Sequence, residues 1–182
     1  MNKHKLYIDI ETFSSVDIRT AGLYKYAESD DFEVPLLAYA IDDGEVELID
    51  LTDGGETTQQ KLVGVRRLLE SQTYIKCAHN AHFEMECLKR ALHIIIRPSQ
   101  WECTMVKGMY RGYPASLEKM GEALVMPEDK TKLRTGKALI NYFCKPCKPT
   151  KTNGGRTRNL PKHAPEKWEL FKEYCKRDVE VA

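Results

Sequence analysis

The sequence of 182 residues predicts a three-layer α/β domain, in which a mixed, mostly parallel sheet lies between helices. Short apolar runs rich in strand-forming residues alternate with longer segments in which apolar residues recur at helical spacing. An Asp-Gly turn signal joins two of the apolar runs, which predicts one antiparallel hairpin. Helical segments connect the other runs, and helical crossovers place the strands that they join in parallel.

Each element follows from its local pattern. The predicted strands cover residues 5–10, 36–41, 46–51, 74–78 and a short stretch near Trp101. The predicted helices cover residues 57–71, 81–92, 116–124, 136–143 and 165–181. Thr57 or Thr58 is the expected cap of the first helix, and Asn80 that of the second. The Pro- and Gly-rich stretch at about 145–165 predicts a mobile loop within a single domain that covers residues 1–182.

Composition limits the class of protein. Hydrophobic residues make up 42% of the chain and charged residues 30%, which is enough apolar material for a core. No apolar stretch reaches the roughly 18–20 residues that span a bilayer, and the N-terminus carries no secretory signal. The six cysteines of a chain without an export signal are expected to be reduced thiols. We therefore expect a monomeric cytoplasmic protein.

The net charge of +1 conceals a basic segment. Residues 130–163 contain ten Lys or Arg and no Asp or Glu. Without those ten, 18 basic residues face 27 acidic ones in the rest of the chain. Such a segment is typical of a protein with a polyanionic partner, although a solvated basic loop without a ligand would have the same composition.

An Asp-x-Glu pair, Asp9 and Glu11, stands at the end of the first predicted strand. Residues two apart in a strand point to the same face, so both carboxylates should meet at the edge of the sheet where α/β proteins usually bind ligands. Converging carboxylates repel each other unless a cation lies between them, and Mg²⁺ and Mn²⁺ prefer carboxylate oxygens. The pair predicts a divalent-cation site, but such pairs are also common without a catalytic role.

Two helices carry further candidates. Glu84 falls in the first turn of the helix after residues 74–78, where it faces back over the sheet edge. An acid at that position also simply favours the positive end of the helix dipole. Tyr174 and Asp178 lie four residues apart in the last helix and share one face. A helical Tyr is often a core residue, so neither feature alone indicates an active site.

Together these residues have the order and spacing of the three exonuclease motifs of the DEDD superfamily, in its tyrosine-bearing branch: Asp9, Glu11, Glu84, Tyr174 and Asp178. Wider similarity to the proofreading region of phage-type family A DNA polymerases is carried by residues 9–12, 14–17, 22–26, 80–84 and 142–146. The resemblance covers nearly the whole chain. It implies the ribonuclease H-like fold, which agrees with the order of the predicted elements.

The resemblance also implies a function, a metal-dependent 3′–5′ exonuclease that hydrolyses DNA with two divalent cations, Mg²⁺ or Mn²⁺. It implies the following cation ligands: Asp9, Glu11, Glu84 and Asp178. Tyr174 would orient the attacking water. The substrate would be a single-stranded DNA 3′ end, with Thr12, Asn80 and Phe83 as binding residues. From the basic loop, Lys148, Arg156 and Arg158 are candidate substrate-binding residues. Together with Lys145, Lys151 and Lys162, they are expected to contact the DNA backbone close to the scissile end.

One position departs from the family pattern. Most of the superfamily has Asp where this chain has Glu84, and one extra methylene moves the carboxylate by roughly a bond length. This departure puts the number of cations and the rate in question more than the reaction.

Other readings of the sequence stay open. The domain could be a catalytically impaired nucleic-acid-binding module of the same fold, or a standalone exonuclease that acts on RNA. Cys144, Cys147 and His163 suggest a zinc site, but no second Cys or His pair completes the usual spacing. The helical pattern runs to Ala182 without a stop signal, so we expect a polymerase domain to follow in the same polypeptide.

Overall fold

A five-stranded sheet organises the fold in the computed structural model, which describes residues 3–125 and 136–181. Its strands are β1 (His4–Phe13), β2 (Glu33–Ile41), β3 (Glu47–Asp50), β4 (Tyr74–Ala78) and β5 (Trp101–Cys103). The strand order is β3-β2-β1-β4-β5. The β1–β2 and β2–β3 pairs are antiparallel, and the β1–β4 and β4–β5 pairs are parallel. In this sheet only β2 opposes the common direction, which confirms the predicted mixed, mostly parallel class.

Helices cover both faces of the sheet. They are α1 (Ile18–Ala21), α2 (Leu23–Ala27), α3 (Glu56–Glu70), α4 (His82–Leu92), α5 (Thr104–Tyr110), α6 (Leu117–Ala123), α7 (Gly136–Phe143) and α8 (Pro165–Val181). Short 3₁₀ turns occupy Pro98–Gln100 and Pro161–His163. Within the described residues, no helix is long and apolar enough to cross a membrane.

Successive side chains of β1 point to opposite faces of the sheet and enter two different hydrophobic cores. Leu6 and Ile8 belong to a cluster that includes residues of α3 and α4. Tyr7 packs on the other face, against a cluster that includes residues of α7 and α8. Because side chains alternate along a strand, Asp9 and Glu11 share the face of Tyr7 and point towards α8. The expected three layers are therefore present, with α8 opposite the acidic pair.

The lengths of β1 and β4 create the functional edge. β1 pairs with β2 as far as Phe13 but with β4 only as far as Tyr7. It therefore continues past the end of β4. The sequence analysis placed the acidic pair at the end of this strand, but β1 runs on to Phe13, so the pair lies within it. The chain leaves β4 through Asn80, whose φ of 65° is left-handed, a conformation that Asn tolerates better than most residues.

Several sequence predictions were wrong in detail. Ala81, not Asn80, is the N-cap of α4, and Gly55, not Thr57 or Thr58, is that of α3. Neither cap uses a side-chain hydrogen bond. The short helices α1, α2 and α5 were not predicted, because four to seven residues provide too little periodicity to detect.

The basic loop, whose mobility stays a prediction, contains several side-chain hydrogen bonds. The Asn153 side chain binds the backbone of Thr150, Gly155 and Lys148. Asn159 accepts a bond from Arg156 at 2.8 Å and donates to the Tyr142 carbonyl at 3.0 Å. Buried polar side chains thus replace apolar residues in fixing this segment. Residues 130–135 of the basic segment lie outside the described residues.

Asp50 joins β3 to α8, and we expect Asp50→Ala to lower the free energy of unfolding by about 1–3 kcal/mol. Its Oδ2 accepts a hydrogen bond from Trp168 Nε1 at 2.7 Å and lies 3.2 Å from Lys172 Nζ. The substitution leaves a buried indole N–H without its acceptor. Denaturant unfolding measures the loss. The control is Glu45→Ala, because Glu45 is an exposed acid in the turn just before β3.

The pH dependence of this contribution follows from the pKa of Asp50. Burial raises that pKa, but hydrogen bonds from Thr52, Trp168 and Lys172 outweigh burial and hold it below its ordinary value. A lowered carboxyl pKa stabilises the fold above the pKa of the unfolded chain. The difference between wild type and Asp50→Ala should therefore be full at neutral pH and shrink as the pH falls through the folded-state pKa. An equal difference at pH 2 and pH 7 would contradict this account.

Candidate active site

A cleft of about 600 Å³ opens where β1 continues past β4. It contains all the predicted catalytic residues: Asp9, Glu11, Glu84, Tyr174 and Asp178. Thr12, Asn80 and Phe83 line it as well. Residues from β1, the β4–α4 junction and α8 thus meet in one place, although up to 169 positions separate them in the sequence.

The two carboxylates of β1 each contact a buried thiol. Cys175 Sγ, on α8, lies 3.9 Å from Asp9 Oδ2. Cys144 Sγ, just after α7, lies 3.7 Å from Glu11 Oε2. Both thiols are buried, and burial together with the nearby carboxylates raises their pKa well above the ordinary value. These two cysteines are part of the site, and the sequence analysis did not identify this role.

Glu84 reaches the cleft from the first turn of α4 and is only 3% exposed. Its Oε2 is buried and has no hydrogen-bond partner in the described protein. Burial, and next the charge of Asp9, raise its pKa well above the ordinary value. A buried carboxylate oxygen without a donor, next to a second carboxylate, is an arrangement that a bound cation would satisfy.

Tyr174 and Asp178 lie one turn apart on α8, as the spacing predicted, and both are buried. The Tyr174 hydroxyl donates a hydrogen bond to the Asp178 carboxylate. Burial raises the pKa of Tyr174 far above its ordinary value, and the charges of Asp178 and Glu11 raise it further. The phenol is therefore a hydrogen-bond donor at neutral pH, not a base.

Packing fixes the position of the Tyr174 ring. The ring of Phe171 is nearly parallel to it, with centroids 6.1 Å apart. Gly136, the first residue of α7, lies so close that a Cβ added there would be 1.9 Å from Tyr174 Cε2. Only glycine fits at this position unless the ring moves. Sequence reasoning did not identify Gly136, because a lone glycine at a helix start does not reveal which side chain it faces.

The donor set fits a divalent cation. Ligand atoms of Asp9, Glu11 and Cys175 lie within 4.8 Å of one another. The site holds four carboxylates, and hard cations such as Mg²⁺ and Mn²⁺ bind to carboxylate oxygens. The orphaned oxygen of Glu84 is the strongest indication, because burying an ionised carboxylate without a donor or a cation is costly.

The predicted substrate-binding residues fall into two groups. Thr12, Asn80 and Phe83 lie in the cleft, where Thr12 Oγ1 is 2.7 Å from the Tyr26 hydroxyl. The second group comes from the basic loop and does not line the cleft: Lys148, Arg156 and Arg158.

The arginines of the basic loop have internal partners. Arg158 binds Glu33 at 2.7 Å and lies 3.8 Å above the Phe13 ring, and Arg156 bonds Asn159. Among the described residues of the cleft lining, Lys145 is the only Lys or Arg. Both arginines therefore brace the loop, and the lysine that lines the cleft is one of the six basic-loop residues expected from the sequence to contact the DNA backbone.

All six cysteines are free in the structure. Cys144 contacts Glu11, Cys147 Sγ contacts the Arg156 carbonyl, and His163 Nδ1 accepts a bond from the Leu160 N–H. Within the described residues these three side chains do not form a metal cluster. The zinc alternative gains no support from their contacts.

Comparison with known proteins identifies the family. The sequence model of the 3′–5′ exonuclease domain of family A DNA polymerases matches residues 15–182. The chain is also 51% identical over 176 residues to a DNA polymerase of Bacillus phage SP02, an alignment that covers 97% of this chain and 26% of the relative. The chain therefore spans about a quarter of the length of that protein. With its sheet topology and its cleft of converging carboxylates, the chain belongs to the 3′–5′ exonuclease domain family of family A DNA polymerases.

Proposed function

We propose that this exonuclease domain removes nucleotides from single-stranded DNA 3′ ends by hydrolysis that depends on two divalent cations. The observation that carries the proposal is the buried Glu84 carboxyl group, which lines the same cleft as Asp9, Glu11 and Asp178 and has one oxygen without a hydrogen-bond partner in the described protein. Four carboxylates so arranged repel one another, and cations would offset that repulsion. The presence of a hydroxyl donor beside them favours an enzyme over a binding module that has lost catalysis.

Asp9, Glu11, Glu84 and Asp178 would hold the cations. Bound cations would supply a more acidic water and charge stabilisation for the leaving 3′ oxygen. The protein's own task is to hold the four carboxyl groups together at the cleft. Tyr174 contributes a protonated hydroxyl that Asp178 orients, and this hydroxyl would align the attacking water by hydrogen bonding.

The cleft suits a substrate of any base sequence. Phe83 offers an aromatic surface for a terminal base, and stacking tolerates every base. Asn80 and Thr12 are close enough to the acids to contact the terminal nucleotide, and Lys145 can neutralise a phosphate at the cleft wall. A proofreading exonuclease must remove any mismatched nucleotide, so stacking and phosphate contacts that do not depend on base identity are appropriate for it.

The direct test uses a 5′-labelled single-stranded DNA oligonucleotide incubated with the purified chain and Mg²⁺, Mn²⁺ or EDTA. We expect shortening one nucleotide at a time from the 3′ end with either cation and none with EDTA. An RNA oligonucleotide of the same sequence distinguishes the alternative substrate. Cleavage that continues in EDTA, or that begins inside the strand, would contradict the proposal.

Four exposed lysines of the basic loop are expected to contact the DNA backbone: Lys145, Lys148, Lys151 and Lys162. Arg156 and Arg158 are left out because they brace the loop. Each phosphate contact on a single strand contributes roughly 0.7 to the slope of log K against log salt. Replacing the four lysines by Ser should flatten that slope and weaken binding to all sequences alike.

The matched control removes four exposed cations from α3 and α4: Lys61, Arg66, Lys89 and Arg90. It changes the net charge by the same amount at four positions that do not line the cleft. Fluorescence anisotropy over a salt series measures both slopes. Equal slopes in the two variants would show that total charge, and not the loop, determines binding.

A further part of the proposal is that the domain edits DNA made by a polymerase region of the same protein. The relative from phage SP02 is a DNA polymerase, and this chain matches about a quarter of it. The complete reading frame should then encode a product that both extends a primer and shortens a mismatched one. A frame without a polymerase region would contradict this part and leave the exonuclease untouched.

A further inference from the structure

Each acid of the β1 pair lies against its own buried thiol. Cys144 Sγ is 3.7 Å from Glu11 Oε2, and Cys175 Sγ is 3.9 Å from Asp9 Oδ2, both within reach of an S–H···O hydrogen bond. Cys175 is fully buried and Cys144 is 7% exposed. The two thiols come from different elements, yet each serves a different carboxylate of the same strand.

The contact at Glu11 has a defined direction. An ionised carboxylate has no proton to donate, so in this contact the Cys144 S–H is the donor and Glu11 Oε2 is the acceptor. The same reasoning makes the Cys175 S–H the donor to Asp9 Oδ2.

We propose that Cys144 and Cys175 are positioning residues that hold the Glu11 and Asp9 carboxylates by S–H donation. This proposal rests on the proposed function in that both acids are taken to bind the cations. A carboxylate rotates about its last carbon–carbon bond, and neighbouring acids tend to turn away from each other. A donor on one oxygen fixes that rotation.

The expected size of the effect follows from other metal sites. Removing a hydrogen-bond partner of a metal ligand typically weakens metal binding by about 10- to 100-fold. A thiol is a weaker donor than the usual amide or hydroxyl. We therefore expect roughly a three- to tenfold rise in the Mn²⁺ dissociation constant when either Cys144 or Cys175 is replaced by Ala.

The first experiment detects the hydrogen bonds by the infrared S–H stretching bands of the metal-free protein. Cys144→Ala and Cys175→Ala each assign one band by its loss. Glu11→Gln should shift the Cys144 band and leave the Cys175 band in place, and Asp9→Asn should do the reverse. These substitutions keep the shape of the acid, so the core that surrounds it is preserved. Bands that stay unchanged, or that move together in both variants, would overturn the proposal.

The second experiment is calorimetric titration with Mn²⁺. Its control is Cys77→Ala, because Cys77 is equally buried and its Sγ lies 3.8 Å from Glu102, an acid outside the cleft. We expect weaker Mn²⁺ binding in the Cys144 and Cys175 variants only. Lower thermal stability with unchanged Mn²⁺ affinity would mean that the thiols merely pack, which overturns the proposal. If wild type binds no Mn²⁺, the proposed function fails, and the infrared bands still decide the role of the thiols.

Discussion

Asp9→Ala is expected to lower the single-turnover rate of DNA cleavage by roughly a thousandfold or more while the domain stays folded, and Asp178→Ala should do the same. Losing a group that stabilises developing charge commonly costs about 10²- to 10³-fold, and these acids would also hold the cations themselves. For the metal-free protein, Asp9→Ala should be neutral or mildly stabilising, because it relieves repulsion from Glu84. Asp178→Ala should cost about 1 kcal/mol, since Tyr174 loses its acceptor.

Thermal unfolding with and without Mn²⁺, together with rapid-quench cleavage, measures both effects. Asp43→Ala is the matched control, because Asp43 is an exposed acid in the turn between β2 and β3. Addition of Mn²⁺ should raise the melting temperature of wild type and of the control more than that of Asp9→Ala. An Asp9→Ala protein that unfolds without metal, but whose folded fraction still cuts at the wild-type rate, would make the site structural and the nuclease proposal wrong.

Gly136→Ala should reduce both cleavage and stability, because the new Cβ would overlap the Tyr174 ring. Overpacking of this kind typically costs about 1–3 kcal/mol. A displaced ring also moves the hydroxyl from Asp178 and from the water that it would align. We expect Tyr174→Phe to slow cleavage by roughly tenfold to a hundredfold. This loss is smaller than the loss of a general base would cause, because Tyr174 only aligns the water. Gly136→Ala should slow cleavage at least as much as Tyr174→Phe.

The double variant separates the two effects. Phe keeps the ring at position 174, so Gly136→Ala should still destabilise the Tyr174→Phe protein, but it should add little further loss of rate. Gly64→Ala is the control, since a Cβ there meets nothing within 4 Å and alanine favours the α3 helix. Full activity of Gly136→Ala would show that the ring has room to move and that Gly136 does not position it.

The local pattern was sufficient for most elements. The bounds of β4, α7 and α8 agree with the prediction, because alternating or helical apolar spacing reports which side of an element is buried. The caps of α3 and α4 were mispredicted, because each helix begins after a residue, Gly55 or Ala81, that makes no side-chain cap hydrogen bond, so the usual preference for a capping side chain does not mark where the helix starts.

The five acidic and phenolic residues of the candidate site could be found from the sequence, because motif order and spacing survive as a one-dimensional pattern. Their surroundings could not. The thiols against Asp9 and Glu11, the glycine against Tyr174 and the internal partners of Arg156 and Arg158 are contacts between residues far apart in the chain or within an irregular loop. Sequence alone therefore determined the order of the elements and the chemical groups of the site. Tertiary structure alone decided which neighbours surround each group, because burial, and with it the pKa and rotation of a side chain, depends on what packs against it in space.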